Sequence, residues 1–324
     1  MQHLLHLSNK SMSNPFALDL RNEINTRFSV DSINMSYSDW VCKNTTLKAA
    51  PFNFKRFPFQ KAIVDDLHPN LHVIKISQIG LTETQIRKAA AFCARNRGVT
   101  VLMTFPNEPM MKKASQTRIM PNIENDRVFN LRGGKPIRSV DIQQIGDSYL
   151  MVVPATESSA TMIPADLIMV DEVDLSNQQM VGLLSSRMQA SSFRIMQQFS
   201  TPTFENFGIH QGYSTTDQRE YFLKCDCCNR WQLPKFTKDF IHIDGLPDEI
   251  KLTDIDTPMI DRYELQLNNI VVTCEKCGSA LDLHGGKRDW VAEFPHRDLA
   301  RGYRVRPFTV STLTPAYIIS ELIK

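Results

Sequence analysis

The phosphates of a nucleoside triphosphate could be bound by Lys75, Gly80 and Thr82. The segment LHVIKISQIGLTETQIRKAAAF predicts a strand at Leu71–Ile76, a turn containing Gly80, and a helix that opens at Thr82. Such phosphates need backbone N–H groups at a helix N-terminus, a lysine, and a hydroxyl that binds magnesium. Compared with the Walker A pattern G-x-x-x-x-G-K-[ST], Lys75 replaces the first glycine and Leu81 replaces the usual lysine. Lys75 could still reach the phosphates, because its side chain is long and flexible.

An acidic pair about 90 residues further along the chain strengthens this interpretation. DLIMVDEVD predicts an apolar strand that ends in Asp171 and Glu172, which fits a Walker B motif. Asp171 would hold the shell of a Mg²⁺ ion, and Glu172 would orient and polarise the attacking water. Each segment alone is common in proteins. The first could be an ordinary strand, turn and helix with a chance lysine, and the second could be an acidic pair at the surface after a buried strand. Their order in one chain favours an NTPase that uses ATP and Mg²⁺.

Four further positions complete the predicted nucleotide site. FRIMQQFSTPTF predicts a strand that ends at Ser200 and Thr201. Small hydroxyl residues at this strand end sense the γ-phosphate in helicase-like motors, although the tripeptide STP alone indicates only a turn. Gln60 precedes the first strand and could read the adenine edge, and Gln78 lies within the phosphate loop.

Five of the seven cysteines fall into two tight groups, which indicates metal binding rather than disulfides. Cys225 and Cys228 form one C-x-x-C pair, and Cys274 and Cys277 form a second. Four thiolates can converge tetrahedrally on Zn²⁺, as in a zinc ribbon, and such a closed site is structural rather than catalytic. Cys227 is the spare thiol, although it could exchange with a neighbour as ligand.

The sequence predicts an α/β fold with a mainly parallel sheet flanked by helices, a P-loop NTPase of the RecA/ASCE-like type, and a small zinc-ribbon-like module. From about residue 52 to 204, short β-rich runs alternate with helical stretches, which is typical of βαβ units. The predicted strands are Leu71–Ile76, Val99–Phe105, Tyr149–Val153, Leu167–Val170 and Arg194–Phe199, and the predicted helices include Glu83–Arg95 and Met110–Ile119. The predicted division is an N-terminal extension (1–50), an ATPase domain (51–220), a zinc-binding module (221–290) and a C-terminal tail (291–324).

Composition limits the protein class but leaves the partner open. The 324 residues are 42% hydrophobic and 22% charged, which is typical of a soluble globular protein. A net charge of +2 does not by itself indicate a nucleic-acid-binding protein. The chain has no apolar run of the ~18–20 residues that a membrane helix requires, and its N-terminus lacks a secretory pattern. We therefore expect a cytoplasmic protein that is neither secreted nor membrane-spanning.

Taken together, these motifs resemble the large terminase subunit of tailed phages, in its lambda-like branch. The resemblance runs from about Ser38 to Pro315. The motifs that carry it are, in chain order, SDW, PFQ, KISQIGLTE, FPNEPMMKKASQTRIMPNI, VDEVD, FSTPTF, the paired cysteines and GYRVRP. It implies a ring of subunits that hydrolyses ATP to move double-stranded DNA through a portal protein into a procapsid, in the cytoplasm of an infected bacterium, with a small terminase subunit as partner.

The resemblance also implies roles for individual residues. Lys75, Gly80 and Thr82 would bind phosphate and Mg²⁺, Asp171 and Glu172 would be the metal-shell and catalytic acids, and Ser200 to Thr203 would be the coupling motif. An arginine finger often lies within the phosphate loop of such motors, where this chain has Gln78. Three arginines are alternative candidates, and each could equally be a surface arginine: Arg118, Arg187 and Arg194.

Two other functions stay open at this point. A helicase-like ATPase would need a second RecA-like domain, and the sequence shows none. A zinc-stabilised DNA-binding or assembly module with a silent nucleotide pocket would explain Leu81 and Gln78, but the acidic pair argues against it. Large terminases also carry a nuclease with clustered acids that bind two metals. The acids after Cys277 show no such pattern, so we expect no nuclease activity from this chain.

Overall fold

A mixed sheet of ten strands is the centre of the part of the chain that the structure describes. The structure is a computed structural model and describes residues 34–130, 135–156, 162–310 and 312–323. In chain order the strands are β1 (Thr46–Leu47), β2 (Ala50–Pro51), β3 (Asn70–Ile74), β4 (Thr100–Phe105), β5 (Ile142–Ile145), β6 (Ser148–Pro154), β7 (Leu167–Asp171), β8 (Ile195–Ser200), β9 (Arg219–Lys224), β10 (Trp231–Gln232), β11 (Ile241–His242), β12 (Val271–Val272), β13 (Arg288–Ala292) and β14 (Arg301–Arg304). The hairpins β1–β2 and β11–β12 lie outside the large sheet.

The α-helices of the described residues are mostly short. They are α1 (Tyr37–Asn44), α2 (Gln60–Asp65), α3 (Leu81–Arg95), α4 (Glu108–Ala114), α5 (Met120–Asn125), α6 (Gln178–Leu184), α7 (Gly208–Ser214), α8 (Thr257–Arg262) and α9 (Pro315–Ile323). A π-helical turn, Ser115–Ile119, joins α4 to α5. None of these helices combines the length and apolar character that crossing a bilayer requires.

The strand order is β10–β9–β14–β3–β8–β7–β4–β6–β5, with β13 paired to the other edge of β9. The seven strands from β9 to β6 run parallel, whereas β5, β10 and β13 are antiparallel to their neighbours. This arrangement confirms the predicted α/β class with a mainly parallel sheet. Parallel strands end at one edge, and ligands of such sheets bind outside that edge.

Both faces of the sheet are buried at central strands such as β4 and β7, which explains why these strands are apolar runs rather than alternating ones. On β4, Val101 and Met103 point to the core beneath α3, while Leu102 points to the opposite core with residues of α6. On β7, Met169 and Val170 are divided between the two cores in the same way. The helices therefore cover the sheet on both sides and leave the strand ends accessible.

The predicted elements are present with small shifts of their ends. All five predicted strands coincide with observed strands to within two residues. The helix predicted at Glu83–Arg95 begins earlier, at Leu81, directly after Gly80. The helix predicted at Met110–Ile119 begins at Glu108, because the side chain of Asn107 accepts a hydrogen bond from the Met110 N–H and caps it, and its second half is the π turn.

The structure differs from the prediction that residues up to 50 are an extension. Trp40 and Val41 of α1 are 2% and 0% exposed and pack into the core beneath α3. Ser38 donates to Asp65 at the end of α2 with an O–O distance of 2.8 Å. The sequence of this segment is polar and irregular, and it did not predict a helix because only one narrow face of α1 is apolar.

The structure also differs from the prediction that residues 291–324 form a tail. β14 lies inside the sheet between β3 and β9, and Val305 donates to the carbonyl of Ile74 at 3.0 Å. The Tyr303 hydroxyl donates to Asp66 at 2.6 Å, next to an ion pair between Arg301 and Asp66. β14 has only four residues, and the hydrophobic pattern of so short a strand cannot be distinguished from that of a loop in the sequence.

The cysteine-bounded module is inserted between β9 and β13, which pair with each other along five residues. Its own hydrophobic core includes Phe240, Ile241 and Val272, and it also takes in Phe308 and Ile319 from the last part of the chain. The module is therefore packed against the sheet edge and the C-terminal helix rather than held by a linker.

Helix α7 packs closely on β3 because residue 212 is a glycine. A Cβ at Gly212 would overlap the imidazole of His72, which lies three residues before Lys75. His72 is 7% exposed, and burial lowers its pKa from 6.5 to about 4. The folded protein therefore keeps this imidazole neutral over a pH range in which the unfolded chain takes up a proton.

We expect His72 to make the fold less stable as the pH falls from 6.5 towards 4. Because the folded-state pKa is depressed, the unfolded chain binds the proton first, and at pH 5 this effect is about 2 kcal/mol of unfolding free energy. Urea unfolding at pH 7.5 and pH 5 should show a smaller loss of stability in His72→Leu than in the wild type. His68→Leu, whose ring is half-buried, is the control and should keep the wild-type difference. An unchanged pH dependence in His72→Leu would contradict the prediction.

Candidate functional site

The loop between β3 and α3 has the backbone of a phosphate-binding loop. Gly80 has φ +71° and lies directly before the first turn of the 15-residue helix α3, and Gln78 also has a positive φ of 59°. A Cβ at Gly80 would lie 3.3 Å from the ring of Phe57, so the loop is also closely packed from behind. The free N–H groups of the first turn of α3 face the loop, where they favour an anion.

Lys75 lies at the centre of this site and contacts both predicted acids. Its Nζ atom is 2.7 Å from Asp171 Oδ1 and 2.8 Å from Glu172 Oε1. The residue is 5% exposed. Burial disfavours the charged ammonium, but the two carboxylates outweigh burial and raise the pKa of Lys75 above its ordinary value. The relocated lysine is therefore charged and is held by the acidic strand end.

The predicted hydroxyl and the predicted metal-shell acid also meet. Thr82 donates to Asp171 Oδ2 at 2.7 Å, so the two carboxylate oxygens of Asp171 contact the lysine and the threonine separately. Glu172 has φ +52°, an uncommon conformation for a non-glycine residue, and its side chain is 28% exposed. This backbone turn directs Glu172 away from the buried strand and toward the open space in front of the loop.

Two adjoining cavities open in front of these residues. The first has a volume of about 500 Å³ and is bordered by the phosphate loop, Thr82, Arg118, Glu172 and Thr201. The second has a volume of about 300 Å³ and is bordered by Thr82, Asp171 and Glu172 on one side and by the α4 helix and its π turn on the other. The first cavity could hold a nucleotide, since its wall is the loop between β3 and α3.

Gln60 supports the phosphate loop from behind and does not face either cavity. Its side-chain nitrogen donates to the carbonyl of Ile79 at 2.6 Å, and its oxygen accepts from Thr84 at 2.7 Å. The side chain is 2% exposed. The prediction that Gln60 reads an adenine edge therefore has no support in this geometry, because both ends of the amide are occupied by the loop and α3.

Ser200 and Thr201 lie at the end of β8, the strand between β3, which leads to Lys75, and β7, which ends at Asp171. The Ser200 carbonyl accepts from the Lys75 N–H at 2.9 Å, and Thr201 lines the larger cavity. The Ser200 hydroxyl accepts from the Asp174 N–H at 3.1 Å. The strand end after β8 is thus in contact with both the phosphate loop and the acidic strand end.

Asp174 is a site residue that the sequence reasoning missed. One of its oxygens accepts from the N–H and the hydroxyl of Thr203, at 2.8 and 3.0 Å, and the other accepts from the Ile209 N–H at 2.8 Å. A Cβ at Gly208 would overlap this carboxylate. Asp174 thereby connects the turn after Glu172 to the loop after β8 and to α7. The sequence does contain this residue within a recognised motif, since Asp174 is the last acid of VDEVD.

The three candidates for an arginine finger lie at different distances from the site. Arg118 borders both cavities. Arg194 directly precedes β8, and the Arg187 carbonyl accepts from Ala165 just before β7 begins, so both lie at the opposite edge of the sheet. Strands of five or six residues put that edge about 15–20 Å from the acids. Within one chain only Arg118, of the three, is near the site.

The four predicted cysteine ligands converge, and Cys227 is not part of their cluster. The sulfur atoms of Cys225, Cys228, Cys274 and Cys277 all lie within 4.8 Å of one another. The Cys225–Cys277 and Cys228–Cys274 sulfur distances are 3.7 and 3.6 Å. A tetrahedral zinc site with Zn–S bonds of ~2.3 Å has sulfur atoms ~3.8 Å apart. These four cysteines could hold a metal ion.

Comparison with solved structures finds phage large terminases. The HK97 bacteriophage large terminase is 9% identical, with a TM-score of 0.44 over 54% of this chain and 39% of its own. The Thermus phage P74-26 large terminase ATPase domain is 12% identical, with a TM-score of 0.39 over 52% of this chain and 70% of its own. The large terminase of another thermophilic bacteriophage, in complex with ADP, is 15% identical, with a TM-score of 0.31 over 48% of this chain and 35% of its own.

Sequence comparison identifies the family. No curated protein matches this chain. The family model for the ATPase domain of the phage terminase large subunit gpA matches residues 47–292, which include the phosphate loop, both acids and all four clustered cysteines. The chain spans 39% of the length of the HK97 large terminase. Since the family match covers most of its residues, this chain belongs to the phage terminase large subunit gpA ATPase-domain family.

Proposed function

We propose that this chain hydrolyses ATP and that hydrolysis drives double-stranded DNA into a viral procapsid. The observation that carries the proposal is the meeting of Lys75 and Thr82 with Asp171 and Glu172, which are about 90 residues away in the chain. A pocket without catalytic function would have no need of Glu172, which is the residue suited to orient water. Family membership and the loop geometry support the same conclusion.

Mg²⁺ would be held by Thr82 and Asp171. A hydroxyl and a carboxylate are hard oxygen donors of the kind that Mg²⁺ prefers, and here they lie 2.7 Å apart at the mouth of the loop. Bound there, the ion would neutralise phosphate charge. Lys75 would then exchange its carboxylate partners for phosphate oxygens, while Glu172 accepts a hydrogen bond from the attacking water. Gln78 and Thr201 line the larger cavity and would border the phosphates, and the buried Ser200 would support them from the β8 end.

Zn²⁺ is the metal we propose for the four cysteines, in a structural role. Their sulfur spacing fits a tetrahedral zinc site, and four thiolates leave no open position for a substrate. The site joins the end of β9 to the inserted module, so it stabilises the sheet edge as well as the module. We propose that residues 225–287 are the zinc module and that the ATPase unit is formed by the segments on both sides of it.

The proposed partners follow from membership of the family. They are double-stranded DNA, a portal protein, a small terminase subunit and further copies of this chain in a ring, in the cytoplasm of an infected bacterium. A packaging motor must move along any sequence, so we expect its DNA contacts to go mainly to phosphates. Within a ring, Arg187 and Arg194 are still candidates for a finger that acts on a neighbouring subunit.

Substitution of either central charge should abolish ATP hydrolysis. Lys75→Ala and Glu172→Gln remove a phosphate ligand and the water-orienting acid, and each should lower the rate constant for hydrolysis about 100-fold or more. The measurement is phosphate release by the purified chain, with and without double-stranded DNA. Lys61→Ala is the control, because Lys61 forms only an exposed ion pair with Asp39. Activity that survives in both variants would instead support a silent nucleotide pocket.

Asp174→Asn should uncouple hydrolysis from DNA. The substitution keeps the shape of the side chain but sets an amide NH₂ against N–H donors, so the connection to Thr203 or Ile209 is lost. We expect the stimulation of ATPase activity by DNA to fall about tenfold, while the affinity for ATP changes little. Asp147→Asn, in an exposed turn between β5 and β6, is the control. Equal stimulation in Asp174→Asn and wild type would refute this role.

Metal analysis should find one zinc per folded chain. Cys277→Ser should lose the metal and the thermal transition of the module, because structural zinc supplies a large part of the folding free energy of such small units. Cys227→Ser is the matched control and should retain the metal, since Cys227 is exposed and outside the cluster. Zinc loss in Cys227→Ser together with retention in Cys277→Ser would show that the ligand set is wrong.

A further inference from the structure

The smaller cavity in front of the catalytic acids has a wall that the proposed function does not use. On one side are Thr82, Asp171 and Glu172, and on the other are Lys113, Thr117 and Arg118 with three apolar residues, Phe105, Met110 and Ala114. The two cavities share Thr82, Glu172 and Arg118, so they adjoin directly at the acids. A group that leaves the nucleotide at this point can enter the smaller cavity without crossing the larger one.

The π turn explains how two cations come to share this wall. Lys113 and Arg118 are five residues apart, and in a regular α-helix residues at that spacing point about 140° away from each other. The Met120 N–H donates to the Ser115 carbonyl, five residues back, so the helix is locally wider here. The wide turn rotates Arg118 back toward the face that carries Lys113. Such turns inside α-helices are frequent at functional sites.

The positive charges of this wall lack partners within the described residues. No hydrogen bond or ion pair of the Lys113 ammonium or the Arg118 guanidinium occurs there, whereas the adjacent Lys112 pairs with Glu108 at 2.6 Å and borders neither cavity. The carboxylates on the facing wall are already bonded to Lys75 and Thr82. Two unpaired cations that line a cavity of about 300 Å³ are suited to a small, multiply charged oxyanion.

We propose that this cavity binds inorganic phosphate, the product of hydrolysis, between Lys113 and Arg118. The inference rests on the proposed ATPase function, which places the departing phosphate next to Asp171 and Glu172. Two carboxylates repel a phosphate dianion, and the cations across the cavity attract it. The site therefore provides a path by which phosphate leaves while ADP is still held at the loop. Lys113 is specific to this path, because it borders only the smaller cavity.

Titration of inorganic phosphate into the ADP-loaded chain, followed by calorimetry, tests the site without any need for hydrolysis. Lys113→Gln and Arg118→Gln should each weaken phosphate binding by about tenfold or more, since each removes a charge-assisted hydrogen bond. Lys112→Gln, on the same helix, should bind phosphate as the wild type does. ADP affinity should be unchanged in Lys113→Gln. Arg118→Lys, which keeps the charge, should recover part of the affinity.

The outcomes separate this proposal from the proposed function. A wild type that binds no phosphate, or a Lys113→Gln variant that binds it with unchanged affinity, overturns the product site even if ATP is hydrolysed normally. Loss of ATP or ADP affinity in Lys113→Gln, with phosphate binding intact, also overturns it and assigns the cation to the substrate. A wild type that binds phosphate but does not hydrolyse ATP contradicts the proposed function and leaves the anion site in place.

Discussion

The buried contact of Lys75 with Asp171 and Glu172 is the interaction on which the rest of the candidate site depends. Lys75 and Asp171 are 5% and 2% exposed, and either charge alone would be strongly unfavourable there because water cannot solvate it. The contact forms across β8, from β3 on one side and β7 on the other. A shift of one residue in the register of either strand would turn its side chains to the opposite face. The parallel sheet and its register are therefore conditions for the charges to meet.

The same edge connects nucleotide chemistry to the rest of the protein. Because β8 lies between β3 and β7, the loop after Ser200 contacts both the lysine strand and the turn that carries Glu172. Asp174 extends this connection to α7, whose glycines allow it to lie against both the carboxylate and His72 of β3. A change at the acids would therefore act on a packed, hydrogen-bonded unit rather than on a free loop.

Residues from both ends of the described chain complete the large sheet and its core. Trp40 and Val41 extend the core beneath α3, and β14 supplies a strand between β3 and β9. The cysteine-bounded module is inserted between two paired strands and shares its core with the C-terminal helix α9. Neither end segment was recognised as part of the sheet or its core, because one has a single narrow apolar face and the other is four residues long.

The sequence by itself determined the fold class, the positions of five strands of the large sheet to within two residues, the phosphate loop, the acidic pair and the four cysteines, since these depend on local spacing and residue type. Only the tertiary structure decided that Gln60 supports the loop, that Asp174 joins three elements, and that Arg118 alone of the three arginines lies near the acids within one chain. These are questions of which side chains face one another across segments that are distant in sequence. Strand order and helix packing determine which side chains face one another, and the local spacing of residues in the sequence does not predict it.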